Sequence, residues 1–336
     1  MQIYRSINSI ARGSTEAATH RPLVITIGNF DGCHLGHQAL VTAARGLLDG
    51  AGGAEVACLT FSPRPAVFFK RSGNDSDLAS LFTEEQKAEA MAELGVDHFV
   101  VQTFDREFSE LPPDRFFDLI RATGCAGVVV GDDFRFGAGR SGDASWLARQ
   151  CASASIKFLR VEAVTCHGVR ASSSTIRREI SLSGNVQLAK NLLGREFALD
   201  GEIVSGARNG RRIGVPTANL KPLAQVLPRP GVYAGFFVRR DAGFKPSLLA
   251  VDAAAMPCVV NVGFRPTVEQ SGKSALSIEA HVLDQEIPLD SLYGRAARIY
   301  FSARLRDEIK FGSLDELKAQ IATDISLARQ VLAGRT

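Results

Sequence analysis

Apolar positions in the first half of the chain fall into short continuous runs separated by amphipathic stretches. Residues 23–27, 56–61, 98–101 and 127–130 are such runs, and 156–161 is a further strand-like run interrupted by Lys157 and Arg160. An unbroken apolar run of this length is the pattern of a strand buried on both faces of a parallel sheet. Between the runs, Leu40, Val41, Ala44, Leu47 and Leu48 recur at helical spacing, and 84–94, 113–122 and 144–152 read as further helices. Thr83 is a suitable N-cap for one of them, and Gly95 and Gly124 are suitable stops. Strands alternating with helices predict an α/β domain, a parallel sheet covered on both faces. In such a sheet the ligand crevice lies beyond the carboxyl ends of the strands.

From Phe197 onward the pattern changes. Strand-like segments at 199–204, 232–238, 247–251, 257–262, 276–283 and 297–301 follow one another with turns rather than helices between them. This predicts an antiparallel sheet closed into a small β-barrel. One amphipathic helix, 313–332, closes the chain, and Ser313 followed by Glu316 fits a capping box. A short helical piece, 186–193, ends at Gly194 and reads as a connector. The expected domains are therefore 1–185 and 186–336.

A chain of 336 residues is long enough for two such cores. The net charge of +3 divides unevenly: residues 1–185 carry 19 Lys and Arg against 21 Asp and Glu, and residues 186–336 carry 20 against 15. The second half is mildly basic, as suits a domain handling ATP, but too weakly for a nucleic-acid groove. The six cysteines, at 33, 58, 125, 151, 166 and 258, form no CxxC pair and read as free thiols in a reducing compartment. No apolar run reaches the roughly twenty residues of a membrane span, and residues 1–12 lack the apolar core of a secretory signal. The expectation is a cytoplasmic protein, monomeric or weakly self-associating, with small-molecule ligands and neither nucleic acid nor membrane as partner.

The chemistry-bearing motifs follow the predicted strands. After the first comes Gly28-Asn29-Phe30-Asp31-Gly32-Cys33-His34-Leu35-Gly36-His37. Gly28 and Gly32 let backbone approach a ligand, and the N–H groups of a helix start favour phosphate. His34 and His37, three apart at that start, share a face and suit stabilisation of charge on a phosphoryl group in transit. The plain alternative is a glycine turn with two surface histidines; the placement after a strand favours the functional reading. Thr60-Phe61-Ser62-Pro63-Arg64-Pro65 follows the second strand, and Gly131-Asp132-Asp133-Phe134-Arg135-Phe136-Gly137 follows the fourth. Phe134 and Phe136 either stack on a flat ring or pack. Phe104 to Ser109 is either part of an acceptor pocket or a solvated loop. Ser172-Ser173-Ser174-Thr175-Ile176-Arg177 opens a short helix after the last strand, where hydroxyls and an Arg suit the outer phosphates of a triphosphate.

Two stretches of the second half carry chemistry. In Gly210-Arg211-Arg212-Ile213-Gly214-Val215-Pro216-Thr217-Ala218-Asn219, the glycines allow close approach, and Thr217 and Asn219 offer neutral oxygens to magnesium or phosphates. Glu279 shares a strand face with His281, opposite Ile278, Ala280 and Val282. It is either a solvent-facing carboxylate or a base for an attacking hydroxyl. Gly272-Lys273-Ser274 imitates the end of a phosphate-binding P-loop, but Thr267 stands where the earlier glycine belongs, and the segment joins two strands.

The His34-to-His37 stretch resembles the HxGH signature of the nucleotidyltransferase superfamily. The ordered set GNFDGCHLGHQ (28–38), TFSPRP (60–65), FDREFS (104–109), GDDFRFG (131–137), SSSTIR (172–177), LLGREF (192–197), GRRIGVPTANL (210–220), GVYAG (231–235), NVGFRPT (261–267), IEAHVLD (278–284) and LYGR (292–295) resembles the bacterial bifunctional riboflavin kinase/FMN adenylyltransferase family, also called FAD synthetase. The resemblance implies a Rossmann-like nucleotidyltransferase domain followed by a six-stranded kinase barrel. It implies phosphorylation of riboflavin by Mg-ATP to FMN in the second half, and adenylylation of FMN by ATP to FAD and pyrophosphate in the first. By the same resemblance Glu279 is the base, and Gly214, Pro216, Thr217 and Asn219 hold Mg-ATP, with Thr217 and Asn219 as the Mg2+ residues. His34 and His37 stabilise the adenylyl transition state. Ser173, Ser174, Thr175 and Arg177 bind phosphates, and Gly28, Asn29, Phe30, Asp133 and the 60–65 loop hold nucleotide or flavin. Arg64 stands where the family commonly has His in TFxPHP; it either touches the flavin phosphate or shapes the ring pocket. A nucleotidyltransferase with another acceptor is the rival, and the PTAN stretch together with Glu279 weighs against it.

Overall fold

The computed structural model describes residues 1–10, 21–48, 54–69, 78–206, 210, 213–240, 247–248, 250–251, 254–265, 275–284 and 292–333. Two compact units emerge: Met1–Leu78 with Glu84–Ser173, and Ala79–Thr83 with Ser174–Thr336.

The first unit contains β1 (Gln2–Tyr4), β2 (Leu23–Ile27), α1 (Leu35–Gly46), β3 (Glu55–Ser62), α2 (Glu84–Glu93), β4 (His98–Thr103), α3 (Pro113–Ala122), β5 (Gly127–Gly131), α4 (Ala144–Ser153) and β6 (Lys157–Val161). The six strands form one parallel sheet in the order β1-β4-β3-β2-β5-β6. All five residues of β2 are buried, as a central strand with two covered faces requires. Leu23, Ile25 and Ile27 pack in one layer with Phe116, Phe117 and Ile120 of α3 and Leu147 of α4, and α1 contributes buried Leu40, Val41 and Ala44. Each fully buried side chain of this size contributes roughly 1.5–3 kcal/mol. The chain moves outward from β2 through β3 and β4, then returns to place β5 on the other flank of β2. That reversal makes the carboxyl end of β2 the topological switch point, where doubly wound sheets bind ligands.

The helix α5 (Ser173–Arg178) and a π turn, Glu179–Ser183, precede α6 (Val186–Leu193), which stops at Gly194 with φ 74°. The barrel follows: β7 (Phe197–Val204), β8 (Ala218–Pro222), β9 (Gly231–Arg239), β10 (Met256–Arg265), β11 (Ala275–Val282) and β12 (Ala296–Arg306), closed in the order β7-β8-β11-β10-β9-β12 with antiparallel neighbours. Register puts Phe197 opposite Phe301, Leu199 opposite Ile299 and Val260 opposite Ala280. These buried residues fill the barrel.

Two strand expectations need correction. No strand forms at the described residues of 247–251; Leu248 is buried without belonging to a strand, and the Ser247 carbonyl accepts from the Tyr300 hydroxyl. The sixth strand is instead β8, inside a stretch that reads as a polar loop. Its alternation is only Ala218 and Leu220, and pairing on both sides with β7 and β11 makes it a strand. The closing helix α7 (Leu314–Ala333) begins as expected, with Ser313 Oγ accepting from Glu316 N–H. Glu316, however, reaches back to the N–H of Gly312, at 2.9 Å. Ala328 and Leu332 of α7 pack on Ala234 and Leu283 outside the barrel.

The outer face of the barrel holds a buried charge network. Asp200 accepts from Arg298 Nε at 2.6 Å and Nη2 at 2.9 Å, and from Arg240 Nη1 at 2.8 Å. Arg298 is fully buried. Replacing Asp200 by Ala is expected to leave that guanidinium uncompensated and to lower stability by about 3–5 kcal/mol, read from chemical denaturation.

Candidate functional sites

The first site is the turn between β2 and α1. The N–H of Gly28 donates to Leu59 O at 3.1 Å, which carries the ladder past the strand end. The chain then takes positive φ at Phe30 (47°), Gly32 (81°) and Cys33 (41°). For non-glycine residues this left-handed backbone costs on the order of 1–3 kcal/mol each and persists where packing over-determines it. Phe30 and Cys33 are completely buried, and the Phe30 ring lies 5.2 Å from that of His37. His34 caps α1: its carbonyl accepts from His37 N–H at 2.8 Å and Gln38 N–H at 3.0 Å. The His34 and His37 rings stack at 3.7 Å with an interplanar angle of 23°. A side chain at Gly36 would begin 3.1 Å from the His34 ring, so glycine between the histidines is what lets the imidazole lie there.

Three further segments hold this turn within the first unit. Ser173 Oγ donates to Asp31 O at 2.8 Å. The Asp31 carboxylate, 1% exposed, pairs with Arg64 Nη1 at 3.2 Å, and Arg64 Nη2 donates to Leu78 O at 2.6 Å. Arg64 is thus a buried tie between the two loops after β2 and β3. Lys87 of α2 is buried as well, with Nζ 2.8 Å from Asn29 O and 3.3 Å from Thr60 Oγ1. Burial pushes its ammonium below the usual lysine range, against the attraction of Asp31. Asp133 lies in the loop after β5, where Arg170 bridges it at 2.9 Å and Asp132 at 3.0 Å. Ser174, Thr175 and Arg177 follow Ser173 on α5.

The aromatic residues separate by role. Phe136 is buried in the core and stacks on Phe134 at 5.3 Å. Phe104, preceding a four-residue helix capped by Asp105, has its ring 5.4–5.9 Å from Phe61, Phe68, Phe69 and Phe108. Phe69 remains partly exposed at the edge of this cluster.

The second site is on the outer wall of the barrel. Ile278, Ala280 and Val282 face the core, so Glu279 and His281 project outward. Register puts Asn219 of β8 on one side of Glu279 and Asn261 of β10 on the other. Thr217 Oγ1 donates to Glu279 Oε2 at 3.3 Å, and His281 Nδ1 lies 2.8 Å from Pro216 O. The turn leading in is closed by Val215 N–H on Gly210 O at 2.8 Å, with Gly214 at φ 84°. Arg211 and Arg212 lie outside the described residues, as do Gly272, Lys273 and Ser274.

Glu279 and Thr217 open onto a cavity of about 730 Å³ roofed by Phe311 and, from α7, by Leu314, Leu317 and Ile321. That volume lies within the range of small-molecule sites, about 300–1,000 Å³. Arg306 and Asp324 line the same cavity and form a two-pronged ion pair of 2.7–3.1 Å that fastens α7 to β12. Among the described residues no group of three His, Cys, Asp or Glu could hold a metal. The oxygens of Thr217, Asn219 and Glu279 are hard donors of the kind Mg2+ takes together with substrate phosphates. Lys87, Phe68, Phe69, Arg306 and Asp324 belong to no motif visible in the sequence. The helical spacing of Leu314, Leu317 and Ile321 was the available signal for the roof.

Comparison with known proteins gives two family models. FAD synthetase matches residues 16–175 and riboflavin kinase matches residues 193–332. Relatives named bifunctional riboflavin kinase/FMN adenylyltransferase include one from Escherichia coli K12, 36% identical over 98% of this chain and 97% of its own length. Those from Pseudomonas fluorescens and Listeria monocytogenes are 33% identical (99% and 98% covered) and 34% identical (93% of each). A crystal structure described as a macrolide-efflux protein from Streptococcus pneumoniae is 26% identical, with a TM-score of 0.78 over 97% of this chain and 98% of that one. Among the described residues, no helix is long and apolar enough to cross a membrane.

Proposed function

This chain belongs to the bifunctional riboflavin kinase/FMN adenylyltransferase family, and we propose that its two reactions are carried out by His34 and His37 in one site and by Glu279 in the other. The protein phosphorylates riboflavin with ATP to FMN and adenylylates FMN with ATP to FAD and pyrophosphate. We assign adenylyl transfer to residues 1–185 and phosphorylation to residues 186–336.

The observation that carries the kinase assignment is the convergence of Thr217, Asn219 and Glu279 at the mouth of an apolar cavity. Riboflavin lies in that cavity with its terminal ribityl hydroxyl toward Glu279. The carboxylate accepts the hydroxyl proton as the oxygen attacks the γ-phosphorus of ATP and ADP leaves. Thr217 and Asn219 hold Mg2+ and the phosphates, with Gly214 and Pro216 shaping the approach. The ion, when bound, neutralises phosphate charge.

In the other site a phosphate oxygen of FMN attacks the α-phosphorus of ATP, and pyrophosphate leaves. His34 and His37 donate to the oxygens on which charge accumulates. Ser173, Ser174, Thr175 and Arg177 bind phosphates, and Gly28, Asn29, Phe30 and Asp133 hold the nucleotide. Phe61, Phe68, Phe69 and Phe104 supply flat apolar surface for the isoalloxazine ring. Arg64, buried and paired with Asp31, serves by tying the two loops together rather than by meeting the flavin. We place the protein in the cytoplasm, where its six free cysteines stay reduced, and read it as a monomer or weak homo-oligomer.

The metal assignment is tested with Thr217→Val, which keeps the shape and removes the hydroxyl. Its KM for Mg-ATP in riboflavin phosphorylation is expected to rise about tenfold or more, the worth of a hydrogen bond to a charged group, with FMN adenylylation unchanged. An unchanged KM for phosphorylation removes Thr217 from the Mg-ATP site.

A further inference from the structure

Lys87 sits on α2, among Glu84, Glu85, Glu89 and Glu93, yet its own side chain is buried. An ammonium withdrawn from water needs strong partners. Those it has lie on the histidine turn and its neighbour strand. The Asn29 carbonyl accepts from Lys87 Nζ at 2.8 Å and from Thr60 Oγ1 at 3.0 Å, and the same Nζ lies 3.3 Å from Thr60 Oγ1. One carbonyl of the turn is therefore gripped by side chains from two other elements, α2 and β3.

The grip has a directional consequence. A trans peptide is planar, so its C=O and N–H point opposite ways. Fixing the Asn29 carbonyl toward Lys87 aims the Phe30 N–H away from Lys87, at a residue whose φ is already +47°. The next residue, Asp31, is held in the same manner by Ser173 on its carbonyl and Arg64 on its carboxylate. We propose that Lys87 is a positioning residue for adenylyl transfer: its ammonium sets the peptide plane between Asn29 and Phe30, and with it the backbone donors that the Gly28–His34 turn presents to a nucleotide phosphate. The inference rests on reading that turn as the adenylyl-transfer site.

The charge matters as well as the contact. Lys87 faces Asp31 and Glu84, which favour the ammonium, and Arg64, which opposes it; the Cys33 thiol also lies near. Burial is the largest influence and lowers the value. As pH rises toward that lowered value the ammonium loses its proton, its bond to Asn29 O weakens, and the cluster loses one positive charge.

The test uses Lys87→Met in the full chain, with riboflavin phosphorylation by the same preparation as the control for folding. The expected result is a kcat for FAD formation from FMN about tenfold to a hundredfold lower, with KM for FMN little changed and FMN formation intact. Wild-type FAD formation is expected to fall at alkaline pH through a limb that FMN formation does not share, and Lys87→Met is expected to lack that limb. A variant with wild-type kcat, or one that retains the same limb, overturns the proposal. Should the variant lose both activities, the wild-type profiles decide: an alkaline limb confined to FAD formation supports it, and no such limb overturns it. Wild-type protein that makes FMN but no FAD removes the reading beneath the proposal, and the proposal with it.

Discussion

Replacing His34 by alanine is expected to lower FAD formation from FMN about a hundredfold to a thousandfold, the effect of losing one donor to developing charge, while FMN formation from riboflavin continues at its normal rate. Two features lead to this expectation. His34 and His37 stack at 3.7 Å, so removing one imidazole also removes the surface that orients the other. Both stand at the first turn of α1, at the switch point of the sheet, where positioned donors act on a phosphate without reorganising. The double variant His34→Ala/His37→Ala is expected to lose little more than either single one, because groups acting as a unit are not additive. Equal loss of FMN and FAD formation in the single variant, measured with riboflavin and FMN supplied separately, contradicts the assignment of the two reactions to two sites.

The complementary substitution, Glu279→Ala, is expected to lower riboflavin phosphorylation about a hundredfold to ten-thousandfold, the usual contribution of a positioned base. FAD formation from added FMN is expected to be unaffected. The carboxylate is also the acceptor for Thr217 Oγ1, so its removal also loosens Thr217, the residue we propose for Mg-ATP. Glu279→Gln separates the two effects: it retains an acceptor for Thr217 and cannot take up a proton, and is expected to be as inactive as Glu279→Ala. A Glu279→Gln variant with substantial phosphorylation assigns the carboxylate to positioning.

The fold was legible where burial imposes a period. The parallel strands are apolar runs because both faces of β2, β3 and β5 are covered, and the predicted helix at 113–122 coincides with α3. It was not legible where pairing alone makes a strand. β1 has three residues, held by β4 on one side, and β8 offers only Ala218 and Leu220 to the core before Lys221 and Pro222, too short an alternation to signal a strand. The run at 247–251 misled because a residue buried outside any strand, as Leu248 is, gives the same apolar signal as one within a strand.

The same division runs through the candidate sites. His34, His37, Thr217 and Glu279 are visible as residue types at informative spacings. Lys87 is not, since a lysine in an acidic amphipathic helix reads as solvated, and only the three-dimensional approach of α2 to Asn29 buries it. Arg64 reads either as a contact to the flavin phosphate or as a wall of the ring pocket, and its buried pairing with Asp31 is not visible in the sequence. The outward direction of Glu279 into a cavity, rather than into solvent, depends on the roof laid down by α7, some forty residues away along the chain.

The most direct measurement is a timed incubation of the purified protein with riboflavin, ATP and magnesium, with the flavins separated by chromatography. FMN is expected first and FAD after it, with pyrophosphate appearing alongside FAD. Folded protein that forms neither FMN nor FAD, and no FAD when FMN is added directly, contradicts the account.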